Sequence, residues 1–74
     1  MTKEIPLDVC GLEPPEPMER VLEALARLQR DEHIRMIIDR EPRPLYRILE
    51  QNGYAYTVTP RDGYLFDILI RHRA

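Results

Sequence analysis

Residues 5–28 read IPLDVCGLEPPEPMERVLEALARL, and the two periodicities inside this stretch decide the fold. Ile5, Leu7 and Val9 alternate with Pro6 and Asp8, the period-two pattern of a strand over residues 4–9. Pro6 has no N–H to give to a ladder, which places that strand at a sheet edge. The period then changes. Met18, Val21, Leu22, Leu25 and Leu28 form one apolar stripe of an α-helix. Glu16–Arg20 and Glu23–Arg27 stand at i, i+4 in the favourable order on its outer side. Between strand and helix, Gly11 to Pro17 carries Pro14, Pro15 and Pro17. Proline is tolerated in a first helical turn but not deeper, so this run is a loop that opens the helix.

Working outward, Arg30-Asp31-Glu32 makes a turn into His33–Asp39, a β-branched strand with Ile34, Met36 and Ile38 on one face. Asp39-Arg40-Glu41-Pro42-Arg43-Pro44 is a second proline-punctuated entry, leading to a short helix with Leu45, Ile48 and Leu49 inward. Asn52-Gly53 ends that helix. Tyr54–Thr59 and Tyr64–Arg71 alternate as strands joined by Pro60-Arg61-Asp62-Gly63, a hairpin signal. The order is β-α-β-α-β-β. Two helices with one apolar stripe each cover only one face of a four-stranded sheet, so the fold class is a two-layer α/β sandwich. The first crossover is expected to be parallel and right-handed and the last two strands antiparallel, in sheet order 1-2-4-3. Residues 1–74 read as one domain without repeats or linkers.

Eleven Lys+Arg against thirteen Asp+Glu give a net charge of −2, so nothing draws the whole molecule to nucleic acid or an anionic membrane. An RNA-binding role is further disfavoured by the lack of an aromatic-basic platform. The single cysteine, Cys10, forms no internal disulfide, and together with the lack of a signal peptide this points to the reducing cytoplasm. The longest apolar runs are far too short to span a bilayer.

The run Gly11-Leu12-Glu13-Pro14-Pro15-Glu16-Pro17 resembles the signature of the TusA (SirA-like) family, small bacterial sulfur-carrier proteins with this same element order. Their motif is a strand, then Gly-Leu, a variable residue, and Cys-Pro-x-Pro opening the first helix. Gly11, Leu12, Pro15 and Pro17 match the framework, and Pro14 stands where the family carries its reactive cysteine. The segment Asp39 to Leu45 further suggests a cysteine-less branch of TusA-like domains. A thiol at a helix start is activated because the positive end of the dipole favours thiolate. Proline offers no nucleophile, so the resemblance implies a retained recognition framework without the family's chemistry.

Among candidate sites, Cys10 is either a displaced sulfur-carrying or redox thiol or a small buried hydrophobe. His33 and His72 with Cys10 make no metal spacing, since the second and last strands bring the two histidines together at one end and leave Cys10 at the other. No metal and no cofactor are expected. Arg40, Arg43 and Arg47 crowd the start of the second helix, where cations oppose the dipole. They are candidates for gripping an anion or a partner's carboxylates, or else they pair with Asp39, Glu41 and Glu50. The acidic residues Asp8, Glu13, Glu16, Asp39 and Glu41 show no spacing for a metal cage or an acid/base pair. On the sheet face away from the helices, Ile37, Leu65 and Leu69 form a patch suited to a partner or a homodimer. The reading that results is a non-catalytic TusA-like binding or regulatory module that docks onto a protein partner; the alternative is a sulfur-relay or redox protein using Cys10.

Overall fold

Six elements follow in the expected order in the computed structural model, which describes residues 3–73. They are β1 (Lys3–Asp8), α1 (Glu16–Arg27), β2 (Glu32–Ile38), α2 (Arg43–Gln51), β3 (Tyr54–Arg61) and β4 (Leu65–His72). The sheet order is β1-β2-β4-β3. β1 lies parallel to β2, with Ile5 beside Ile34 and Leu7 beside Met36, and both β2 and β3 run antiparallel to β4. The α/β two-layer class, mixed sheet and strand order are those the periodicities dictate.

One side of the sheet carries the core. Ile34, Met36, Ile38, Ile68 and Ile70 are fully buried against Val21, Leu25 and Leu28 of the first helical segment and Leu45 and Leu49 of α2. Burial of such side chains stabilises by roughly 1.5–3 kcal/mol each, and in a chain this short this one cluster supplies most of the driving force. Leu22, expected in the helical stripe, is instead 42% exposed. It stands one residue, about 100°, beyond Val21. The face that packs is centred on Pro17, Val21, Leu25 and Leu28, all buried, and Leu22 falls off its edge. In α2, Ile48 is only half-buried while Tyr46 packs against the core.

The hairpin also differs from expectation. β3 continues through Pro60 to Arg61, which pairs with Leu65, and the turn is Asp62-Gly63-Tyr64. The strand survives Pro60 because of its phase. Arg73 N–H donates to the Gly53 carbonyl, so the odd residues of β3 face the β4 ladder and the even ones face outward. Pro6 has the same placement in β1. Lys3 and Val9 donate to Asp31 and Ile37, which leaves the even positions pointing away from β2. Each edge strand thus places a proline where its missing donor breaks no bond and denies a bond to any strand arriving from outside.

Candidate functional site

The carboxyl ends of β1 and β2 lie side by side, and each is followed by a proline-rich entry into a helix. Pro15 precedes α1 and Pro17 lies in its first turn; Pro42 precedes α2 and Pro44 lies in its first turn. Neither helix start has a side-chain cap, because the residue at the cap position is proline in both. The two openings converge over the end of β2 and leave a cleft of about 220 Å³ between them. Its walls are Pro14, Pro15, Pro17, Pro42 and Pro44, its floor is Met18, Val21, Met36, Ile38 and Leu45, and Arg40 and Glu41 are its polar lining residues. Of the chain's seven prolines, five wall this cleft and the other two are the edge prolines. Proline rings carry no rotamer freedom to lose, so the walls are set before anything enters.

This cleft was not evident as a site from the sequence. In the sequence, Met18, Val21, Met36 and Ile38 read as core and Pro42 and Pro44 as loop. The usable signal was the repetition of a proline pair at the two helix entries that follow parallel neighbouring strands, the end of an α/β sheet where ligands collect.

Of the motif framework, Pro14, Pro15 and Pro17 line the cleft, whereas Gly11 and Leu12 hold the loop behind it. Gly11 adopts φ 78°, a left-handed conformation, and its N–H donates to Asp39 Oδ2 at 3.0 Å. That bond ties the loop after β1 to the loop after β2. Leu12 packs against the core.

Cys10 is half-buried beside this loop. Its N–H donates to Asp8 Oδ1 at 3.0 Å. Burial pushes the thiol above its ordinary value, and the carboxylates of Asp8 and then Asp39 push in the same direction. The environment favours thiol over the nucleophilic thiolate.

The three arginines at α2 differ in their partners. Arg40 lies at the cleft with only a 3.9 Å contact to Asp39. Arg43 Nε donates to Glu41 at 3.1 Å, and Arg47 stands one turn further along α2, exposed. Glu50, a possible partner for them, instead accepts the Tyr56 hydroxyl. Glu41 also accepts from Tyr46, whose ring stacks on Tyr56 at 5.0 Å between centroids. Burial, with help from Glu41, pushes the Tyr46 phenol up to about 12.

The histidines do not meet. His33 shares the uncovered face with Arg35 and donates from Nε2 to Glu4 Oε1 at 3.1 Å. His72 is on the helix side, where its Nε2 donates to the Leu28 carbonyl at 2.9 Å and its ring leans on Tyr54. It is half-buried, because β4 continues one residue past Arg71 and tucks it beneath the end of α1. Among the described residues, no group of three or more His, Cys, Asp or Glu is placed to hold a metal ion.

The uncovered face carries Ile37, Leu65 and Leu69, all half-buried. They surround Asp67, which accepts both Nη1 bonds of Arg35 (3.1 and 3.2 Å) and lies 3.6 Å from Arg61. Arg35 also donates from Nε to Glu4 at 2.9 Å. The Arg35 guanidinium, with His33 after it, holds Glu4 below the usual carboxylate range. The apolar patch is therefore divided by a lattice of ion pairs. A second depression, about 380 Å³ between β1 and α1, has charged side chains for half its lining. Among the described residues no helix is long and apolar enough to cross a membrane.

Compared with known proteins, the chain matches a family model described as "Uncharacterized conserved protein (DUF2249)" over residues 6–72. No curated protein and no solved structure matches it.

Proposed function

The chain belongs to the DUF2249 family, and from that premise we propose that it is a non-catalytic, TusA-like docking module that receives an apolar side chain of a protein partner in the proline-walled cleft. The single observation that carries the reading is the cleft itself. Rigid apolar walls stand at the very helix opening where a sulfur carrier of TusA type presents its cysteine, and Pro14 occupies that position. Its size favours a side chain over a cofactor. Pockets for whole small molecules run roughly 300–1,000 Å³, whereas about 220 Å³ suits one anchoring residue of a protein interface. Arg40 and Glu41 at the lining supply the polar contacts that orient such a segment.

The test is a comparison of two baits in the native cell extract. Pro44→Glu puts a carboxylate into the cleft wall while favouring the α2 dipole, whose first turn has no acidic residue. A protein that co-purifies with the wild-type chain is expected to be lost with this variant and kept with a variant of the uncovered face such as Leu69→Thr. Loss with Leu69→Thr alone moves the docking surface to the other face and ends the proposal.

Sulfur relay through Cys10 is the competing reading. The raised thiol argues against it, and slow alkylation near neutral pH is expected. A stable sulfur adduct on Cys10 after incubation with a cysteine desulfurase and cysteine, seen by intact mass, reverses the order of the two readings.

A further inference from the structure

We infer that the cleft's occupant is the Asp62-Gly63-Tyr64 hairpin tip of a second copy of this chain, exchanged reciprocally in a two-fold dimer; this rests on the cleft being a docking site. Tyr64 is 90% exposed, and with Leu22 it is one of two large apolar side chains exposed among the described residues. It also holds φ 62°, the left-handed region that a bulky residue rarely occupies. The turn thus spends conformational energy to present an aromatic ring in water, a combination that the fold's own packing does not require.

Knob and hole lie at the same end of the molecule. Phe66, two residues after Tyr64, pairs with Ile38, which lines the cleft. Proline faces are flat and apolar, and an aromatic ring placed between them buries area at little cost in lost rotamers. The charges match as well. Asp62, two residues before Tyr64, has no ion pair among the described residues, and Arg40 at the cleft has only its loose 3.9 Å contact to Asp39. A tip entering ring first carries the Asp62 carboxylate toward the Arg40 guanidinium. Because each copy bears both features at one end, two copies related by a two-fold axis satisfy both at once, and the contact closes as a dimer instead of propagating. Two small contacts fall short of the area of a standard stable interface, so the association is weak and concentration-dependent.

Sedimentation velocity across micromolar to millimolar concentrations, with amide shifts followed on dilution, tests this in the intact chain. For the wild type, the average mass is expected to climb toward twice the monomer value. The amides of Asp62, Gly63 and Tyr64 are expected to move together with those of Met18, Arg40 and Leu45. Tyr64→Ser, an exposed change that leaves the core untouched, is expected to weaken association by at least about tenfold, as is Pro44→Glu. A wild-type mass fixed at the monomer value up to millimolar concentration overturns the inference, as does a dimer that Tyr64→Ser leaves undisturbed. In either case, selective loss of a captured partner by Pro44→Glu still upholds the cleft as a docking site, so the two ideas fail separately.

Discussion

On the uncovered sheet face the charges at the centre already have counterparts: Arg35 bridges Glu4 and Asp67, Arg61 approaches Asp67, and His33 donates to Glu4. In the cleft between the helix starts the opposite holds, since five prolines line an apolar floor and Arg40 is barely engaged. A surface whose polar groups are mutually satisfied has to break those contacts before it binds anything, whereas rigid apolar walls gain by being covered. That difference is the reason the docking proposal rests on the cleft and not on the uncovered face.

The largest effect expected separates floor from wall within the cleft. Leu45 is fully buried, and Leu45→Ala is expected to cost about 2–5 kcal/mol in urea unfolding. Pro44, one residue earlier and exposed, should tolerate Glu within about 0.5 kcal/mol. Equal losses in the two variants break the distinction between a structural floor and a recognition wall.

Asp67→Asn addresses the other face. It removes the charge shared by Arg35 and Arg61, so thermal unfolding should fall by a few degrees while partner capture is unchanged. Lost capture with an unchanged melt inverts the comparison.

How much of this was legible beforehand depends on how local the cause is. The alternation of Ile5, Leu7 and Val9 and the helical spacing of Val21, Leu25 and Leu28 are local signals for element order and core face, and the rules for short, right-handed connections carry these to the sheet order. Leu22 was misjudged because spacing alone does not say where the centre of a stripe lies; Pro17, buried at the helix start, pulls it away from Leu22. The turn was displaced because Pro60 reads as a strand breaker unless its phase relative to β4 is known. The cleft was missed for a third reason. Its walls come from two loops nearly thirty residues apart, brought side by side by the pairing of β1 with β2 and the tie from Gly11 to Asp39.

Smaller effects sharpen the same contrast. Tyr64→Gly relieves the left-handed strain and should raise stability by about 0.5–1 kcal/mol while reducing self-association, so that one change separates folding from contact. A loss of stability instead shows that the ring has a place in the fold. Smallest is the acid response of the uncovered face. Glu4 is held below its ordinary value of 4.5 when folded, so its contribution is fully present above that pH and is lost as the pH falls through the lowered value. Glu4→Gln should flatten the acid side of the stability profile and leave it unchanged near neutrality; an unaltered acid side shows that the pairing with Arg35 contributes nothing.

The central claim is tested most directly by methyl shifts in Ile-, Leu- and Val-labelled protein, titrated with the protein captured by the wild-type bait. Val21, Ile38 and Leu45 report on the cleft, and Ile37, Leu65 and Leu69 report on the uncovered face. The account predicts that the first set moves and the second stays. Movement of Ile37, Leu65 and Leu69 with a silent cleft contradicts it.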